Sequence, residues 1–525
     1  MDKSKQLKLG VVLSYLSMGI NIVVQLVYTP LMLRLLGQSE YGLYTLVASI
    51  VSYLSLFSLS FTASYTRFYT KYKEKKDREG EERLNGMFLT IFLVMAVLAL
   101  VCGMVLAQFP KQVFGSRLTI NELDRAQVLM RILVVNIALT FLTGLLESII
   151  TAHECFVFQR IVVLVSAMMN PFICLPFLLM GHTSITIVVV TTIISVAKLV
   201  VDAGYCLRRL HIRFRFDGFD VSLLKEIANF NFFILLSLLV DQVNWSVDKF
   251  ILGHVSGTKA VAVYGVGAQI NALFQLFATA ISSVFVPRVN QIAAQNRADT
   301  NVRLTTLLTK VGRMQCLVLF LFSSGLVVFG RYFITNIYST PEYAQAYPVA
   351  LLLIVPGLIS LIQNLGVEIQ RAVNKHRFMA IVYSVMAVGN VIISIPLAMW
   401  MGPVGSALGT AISLVLVNGL AMNIYYRKKI GLDIPSFWKS ILSLMKGVIP
   451  PAILGAVIMK MVTFDRLVVY FGWILLYTVV YCASMWLLGM NADEKSLVKR
   501  ILSKLKRKAV KKTHNKDFFP HPLFT

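Results

Sequence analysis

The chain has 525 residues, 57% of them hydrophobic and only 14% charged, with a mean hydropathy of +0.73. A soluble protein cannot hide that much apolar surface, so the composition excludes one and points to a chain built in a bilayer. The formal net charge of +25 would suit nucleic acid, but where the positive residues fall excludes that partner too.

A spanning helix needs roughly 20 apolar residues, and about fourteen such stretches follow one another. In chain order they are 9–33, 41–63, 87–107, 128–150, 160–180, 184–206, 229–252, 261–283, 313–335, 347–369, 378–400, 402–425, 441–462 and 467–489. None alternates polar and apolar residues, so the spans are helices and not barrel strands. The expected fold class is an all-α polytopic membrane protein. With the N-terminus in the cytoplasm, the basic loops fall on one side. They hold Arg67, Lys71, Lys73, Lys75, Lys76, Arg78 and Arg83, then Arg208, Arg209, Arg213 and Arg215, then Arg427, Lys428 and Lys429. The opposite loops, such as 181–184 and 401–403, hold almost none, which predicts that both termini are cytoplasmic. The first span is long enough to remain as a helix and shows no cleavage-type segment. The six cysteines lie mostly in or at the ends of spans, none in a close pair, and read as small apolar residues.

The chain repeats itself at a constant offset of 220 residues. Tyr44, Leu46, Ala48, Ile50, Leu56 and Phe57 match Tyr264, Val266, Ala268, Ile270, Leu276 and Phe277. Glu122, Leu123 and Ala126 match Glu342, Tyr343 and Ala346, and Asn170, Ile173 and Pro176 match Asn390, Ile393 and Pro396. Six spans per copy is an even number, so the copies are expected to be parallel repeats, related by an axis along the membrane normal. The expected organisation is a first repeat over 1–206, a basic cytoplasmic linker over 207–228 and a second repeat over 229–426. Two extra spans follow over 427–490, then a basic tail over 491–525 in which Leu497, Ile501 and Leu505 share one helical face. That tail either lies on anionic lipid or is an ordinary cytoplasmic extension. Paired helical halves are the ground plan of secondary transporters, with the substrate path between them. Proline occurs inside several spans, and Pro176 and Pro396 kink matched ones.

Polar residues at bilayer depth are costly, so each is a functional candidate. Span 7 carries Asp241, Asn244 and Asp248 on one face, with Lys249 beside Asp248. They read as a hydrated path for a cation, a proton or a polar head group. The alternative for Asp248 and Lys249 is an internal ion pair that fixes helix packing. Span 1 carries Ser17, Asn21 and Gln25, span 4 carries Asn136, Thr140, Thr143 and Glu147, and span 10 carries Asn364, Glu368 and Arg371. These stripes predict a shared cavity; the plainer account is interhelical hydrogen bonding. Lys198 and Asp202, spaced i,i+4 in span 6, are expected to pair with each other. Arg67 and Arg288 end spans 2 and 8 in nearly matched positions. Together with Arg371 they are candidates for capturing a pyrophosphate head group, against simple interfacial snorkelling. There is no phosphate-cradling glycine loop with lysine, no catalytic constellation and no metal-ligand spacing, so no cofactor or metal is expected.

Several motifs resemble one family. Glu40-Tyr41-Gly42-Leu43-Tyr44 after Leu36-Gly37, followed by Arg67 beyond the second span, is similar to the opening of the polysaccharide biosynthesis (Wzx-type) flippases. Asp248-Lys249-Phe250-Ile251-Leu252-Gly253 with Tyr264 resembles their seventh and eighth helices, and Glu342-Tyr343-x-x-Ala346 another recurring stretch. The likeness covers nearly the whole chain, including the fourteen-helix count. The glycine often found near the end of the family's second helix is absent, and Leu59-Ser60-Phe61 stands there. The resemblance implies the multidrug/oligosaccharidyl-lipid/polysaccharide exporter fold. It also implies transfer of an undecaprenyl-pyrophosphate-linked oligosaccharide across the bacterial inner membrane, for a surface polysaccharide such as O-antigen of lipopolysaccharide.

The expectation is therefore a flippase working by alternating access and not an enzyme. Its expected partners are membrane lipid and a lipid-linked oligosaccharide, with H+ or Na+ and a glycan-assembly complex as further candidates. The rival within the superfamily is a drug/cation antiporter, which usually stops at twelve helices. A glycan polymerase or ligase would need a large external loop, and no external loop here exceeds about twenty residues.

Overall fold

A computed structural model describes residues 3–500 and 503, apart from Ser116, Gly218, Phe219, Asn296, His376 and Asp465. Ile501 and Leu505 of the tail lie outside the described residues. Among those described there are helices and no strand. This follows from the medium, because in hydrocarbon every backbone N–H and C=O has to be satisfied within the segment.

Among the described residues, twelve helices are long and apolar enough to cross a membrane. Two of them are each a pair merged across a kink, which gives the fourteen expected. In chain order they begin with α1 (Lys3–Lys75), α2 (Arg78–Leu106), the short α3 (Pro110–Phe114), α4 (Ile120–Ala152), α5 (Phe156–Leu179) and α6 (Ser184–Arg208). After the linker come α7 (Val221–Val255), α8 (Thr258–Ser283), the short α9 (Val286–Ala294), α10 (Thr300–Tyr332), α11 (Ala346–Ile362), α12 (Asn364–Ala372) and α13 (Arg377–Leu414). The last are α14 (Met422–Tyr425), α15 (Ile434–Leu442), α16 (Met445–Met461) and α17 (Leu467–Ser484). α1 turns at Gly37 (φ 76°) and α13 at Gly402 (φ 61°), a backbone region that glycine enters without a Cβ clash. Thr119 opens α4 with a reciprocal cap: its hydroxyl accepts from the Glu122 N–H, and Glu122 accepts from the Thr119 N–H.

The chain forms two compact units. The first holds Met1–Leu276, Arg331–Ser360 and Lys375–Met422. α1 is its hub, packing on α2, α4, α5 and α7, while α13 packs on α7. Leu33, Leu43, Leu46, Val47 and Tyr65 of α1 are fully buried there. At the end of α1's second half away from the basic linker, the packing is tight enough that a Cβ on Gly42 would stand 1.9 Å from the Thr258 carbonyl oxygen.

The second unit holds Phe277–Gly330, Leu361–Asn374 and Asn423–Thr525. α9 packs on α12, and α16 on α17. Its centre is Arg313, 5% exposed. The Arg313 guanidinium donates from Nε and one terminal nitrogen to the Glu494 carboxylate (2.6 and 2.9 Å), and also to the Ser440 and Gly489 carbonyls and the Ser443 hydroxyl. A planar fork with five N–H groups suits such a site. It ties α10 to the segments around the two extra spans.

Candidate functional site

The first unit encloses an open cavity of about 680 Å³. Both halves of α1 line it with Asn21, Tyr28, Tyr44, Ser49 and Ser52; α5 adds Asn170, α6 adds Thr191, Ser195 and Lys198, and α7 adds Ser246 and Lys249. Amides and hydroxyls are interspersed with apolar side chains in the lining. Among the described residues its charged members are two lysines, with no carboxylate. Lys249 is half-buried and makes no hydrogen bond or ion pair among the described residues. An ammonium with no direct ion-pair partner, in a cleft flanked by low-dielectric protein, attracts anions more strongly than it would in water.

Lys198 differs. The i,i+4 spacing suggests a pair with Asp202, but the structure pairs Lys198 with Glu147 of α4. Tertiary packing of α4 on α6 brings Glu147 to the lysine, so helix spacing alone chose the wrong partner. Asp202 is 2% exposed, and its Oδ2 has no hydrogen-bond partner among the described residues. Higher on the same pair of helices, Asn136 donates to Ser195 (3.0 Å) and Thr192 (3.4 Å).

A polar track on the second half of α1 escaped the sequence reading. Ser49, Ser52 and Ser55 each donate back to the carbonyl three residues earlier, at 2.6–2.7 Å. Ser52 also accepts from Gln242 of α7 at 2.6 Å. The signal was present as serines at every third position, which self-satisfies the hydroxyls and bends a helix.

Asp248 and Lys249 do not form the ion pair offered above as an alternative. Asp248 turns away from the cavity and is fully buried. Its Oδ1 accepts from Ser406 (2.6 Å), and its Oδ2 accepts from Tyr264 (2.7 Å) and Thr410 (2.8 Å). Asn390 Oδ1 lies beside this group, accepting from Thr410 (3.3 Å) and Ser394 (3.0 Å). Four helical segments thus converge as an all-oxygen set around one carboxylate. The Asn390 amide nitrogen and both polar atoms of Asn244, one turn before Asp248, are buried without partners among the described residues. Orphaned buried amides of this kind mark a place where water or an ion belongs. The first half has a related contact: Asn170 accepts from Cys174 and donates to Thr191 (3.0 Å), and Cys174 and Ser394 stand at the repeat offset.

The other nominated residues lie elsewhere. Asp241 is exposed on α7, and Gln25 has a buried side-chain oxygen without a partner. Arg67 is exposed, with its guanidinium 4.3 Å from the Phe230 ring centre, a cation–π contact. In the second unit, Asn364 donates to Ser282 (3.2 Å), Glu368 accepts from Arg371 (2.8 Å), and Arg288 donates to Gln291 (3.3 Å) on the surface. Of the residues nominated from sequence for the substrate or ion pathway, Asn21 and Lys249 line the cavity directly, while Asn136 and Glu147 stand behind its α6 wall.

The motif residues Glu40 and Glu122 are tie-points at the end of this unit remote from the linker. Glu40 accepts from Ser184 (2.6 Å) and pairs with Arg125 (2.9 Å). Glu122 accepts from Ser39 (2.5 Å) and Thr258 (2.7 Å). The starts of α4, α6 and α8 are thereby gathered around α1.

Solved structures share this architecture. The lipid II flippase MurJ, in an inward closed conformation, is 14% identical, with a TM-score of 0.72, covering 91% of this chain and 97% of that one. An inward-facing multidrug resistance MATE family transporter of the MOP superfamily is 13% identical (TM-score 0.58; 78% and 99% covered). The MATE multidrug transporter DinF-BH is 17% identical (TM-score 0.57; 80% and 96% covered). At these identities the likeness is one of fold. No curated protein sequence matches the chain. The family description "Polysaccharide biosynthesis protein" matches residues 7–293, more than half of the chain, and the protein therefore belongs to that family.

Proposed function

We propose that this multi-pass membrane protein is a flippase for an undecaprenyl-pyrophosphate-linked oligosaccharide, whose head group is the pyrophosphate with its sugars. It would work by alternating access, from the cytoplasmic to the outer leaflet of a bacterial inner membrane. The observation that carries this reading is the cavity: polar, free of carboxylates in its lining and holding an unpaired lysine, Lys249. An isolated ion in hydrocarbon costs on the order of tens of kcal/mol, and such a cavity lowers that cost for a pyrophosphate and its sugars while the chain stays in lipid. The membrane potential adds roughly 2.3 kcal/mol per charge per 100 mV, in favour of an anion leaving a negative interior. The same lining disfavours the drug/cation antiporter, whose cargo would meet two lysines and no carboxylate.

The two six-helix repeats, 1–206 and 229–426, with both termini cytoplasmic, belong to this proposal. The matched contacts at Asn170–Cys174 and Asn390–Ser394 support them. Asp248 is the candidate site of the coupling ion. Its hydroxyl, amide and carboxylate oxygens are hard donors, suited to Na+ or to a transferred proton.

The test is reconstitution into liposomes with a labelled undecaprenyl-pyrophosphate oligosaccharide, scoring its arrival at the far leaflet in sodium and in choline buffer. Acceleration over empty vesicles supports the flippase. Export of a cationic dye with no lipid transfer supports the antiporter instead.

A further inference from the structure

The two cavity lysines are not equivalent. Lys249 makes no hydrogen bond or ion pair among the described residues, whereas Lys198 is held by a carboxylate that stands outside the cavity lining. That pair is not sealed: the Lys198 and Glu147 side chains are 23% and 26% exposed, against 5% and 10% for Arg313 and Glu494. Arg313 is saturated by carbonyl, hydroxyl and carboxylate oxygens. The Lys198 ammonium has three donors and, among the described residues, one acceptor. One turn along α6, Asp202 is buried with an oxygen that has no partner. Two carboxylates and one ammonium therefore sit at the α4–α6 wall, and drawing the ammonium away leaves like charges facing one another.

We propose that Glu147 is an internal stand-in for the substrate's anion, and that it makes the cavity selective for head groups carrying two or more negative charges. The inference rests on the flippase reading above and adds how that same cavity chooses. A singly charged phosphodiester, the head group of the bulk anionic lipids, offers Lys198 nothing that Glu147 does not already supply. Exchange would trade one monoanion for another and expose Glu147 to Asp202. A pyrophosphate engages Lys249 and Lys198 together, and its extra charge and acceptor oxygens offset the cost of leaving Glu147 bare. The carboxylate thus sets a threshold that the surrounding membrane lipids do not cross.

The experiment uses the full chain in nanodiscs of phosphatidylcholine, with farnesyl pyrophosphate as the probe and phosphatidylglycerol as the singly charged competitor. Wild type is expected to bind the probe with little effect of phosphatidylglycerol. Glu147→Gln is expected to bind it about tenfold more tightly in pure phosphatidylcholine and to lose that gain when phosphatidylglycerol is added. Lys198→Gln in the same background should abolish the gain. The exchanged pair Glu147→Lys with Lys198→Glu keeps the ion pair, and with it the thermal stability, but puts a carboxylate in the cavity, so probe binding should fall. This last variant decides the matter if a single substitution fails to fold. Unchanged or weaker binding by Glu147→Gln, a gain that survives loss of Lys198, or an exchanged pair that binds like wild type each overturns the inference. A wild-type protein that binds no pyrophosphate sinks the flippase reading instead.

Discussion

Asp248 and Lys249 are neighbours in the chain, yet they live in different media. The carboxylate is enclosed by three hydroxyls from α8 and α13, whereas the ammonium opens onto the cavity with no hydrogen bond or ion pair among the described residues. One residue step along one helix, a rotation of about 100°, separates a sealed site from an open one. A charge whose valences are filled by the protein holds structure together or binds a small ion. A charge left unfilled is available to cargo. The second unit repeats the lesson with the sign reversed, since the donors of the Arg313 cation are filled by protein oxygens.

The contrast breaks first at Asp248. Replacing it with leucine strands three buried hydroxyls, each costing about 1–3 kcal/mol. Thermal unfolding in detergent should show the deepest loss of any single variant here. Asp248→Asn should spare most of that stability while removing any sodium dependence of transport. Next, Arg313→Ala leaves the Glu494 carboxylate buried without its partner, a loss of about 3–5 kcal/mol by precedent for such pairs. Arg313→Lys should recover only part of it, because an ammonium cannot fill the bidentate role. Lys249→Gln should do the opposite, slowing lipid transfer in liposomes by about tenfold with the melting temperature unchanged. If that variant melted early and transferred normally, the distinction between filled and unfilled charges would fail. The smallest change is Asn136→Ala, which removes interhelical hydrogen bonds worth about 0.6 kcal/mol each and should move transport little.

The fourteen spans were readable from hydropathy because bilayer thickness fixes both the length and the composition of a crossing helix. The expected spans fall on helix, with 347–369, 402–425 and 441–462 each running over more than one helical segment, and with joins at Gly37 and Gly402 where Leu36-Gly37 and Gly402-Pro403 interrupt the pattern. Lining residues were less legible. Asn21 and Lys249 could be nominated as polar groups at bilayer depth, but spacing along a helix says nothing of which neighbouring helix faces it. Lys198 was therefore assigned to Asp202 when its partner comes from α4. The Asp248 group was half visible. Tyr264 stood out through the repeat, yet Ser406, Thr410 and Ser394 look like ordinary small residues until α13 packs against α7.

Gly42 carries a consequence of its own. With only 1.9 Å between a would-be Cβ and the Thr258 oxygen, main chain rests on main chain there, and no rotamer change can ease the contact. Under the proposed cycle, these helix ends have to part whenever the far mouth opens. A bare methyl at position 42 would act as a doorstop, propping that mouth ajar without touching cargo, ion or either lysine.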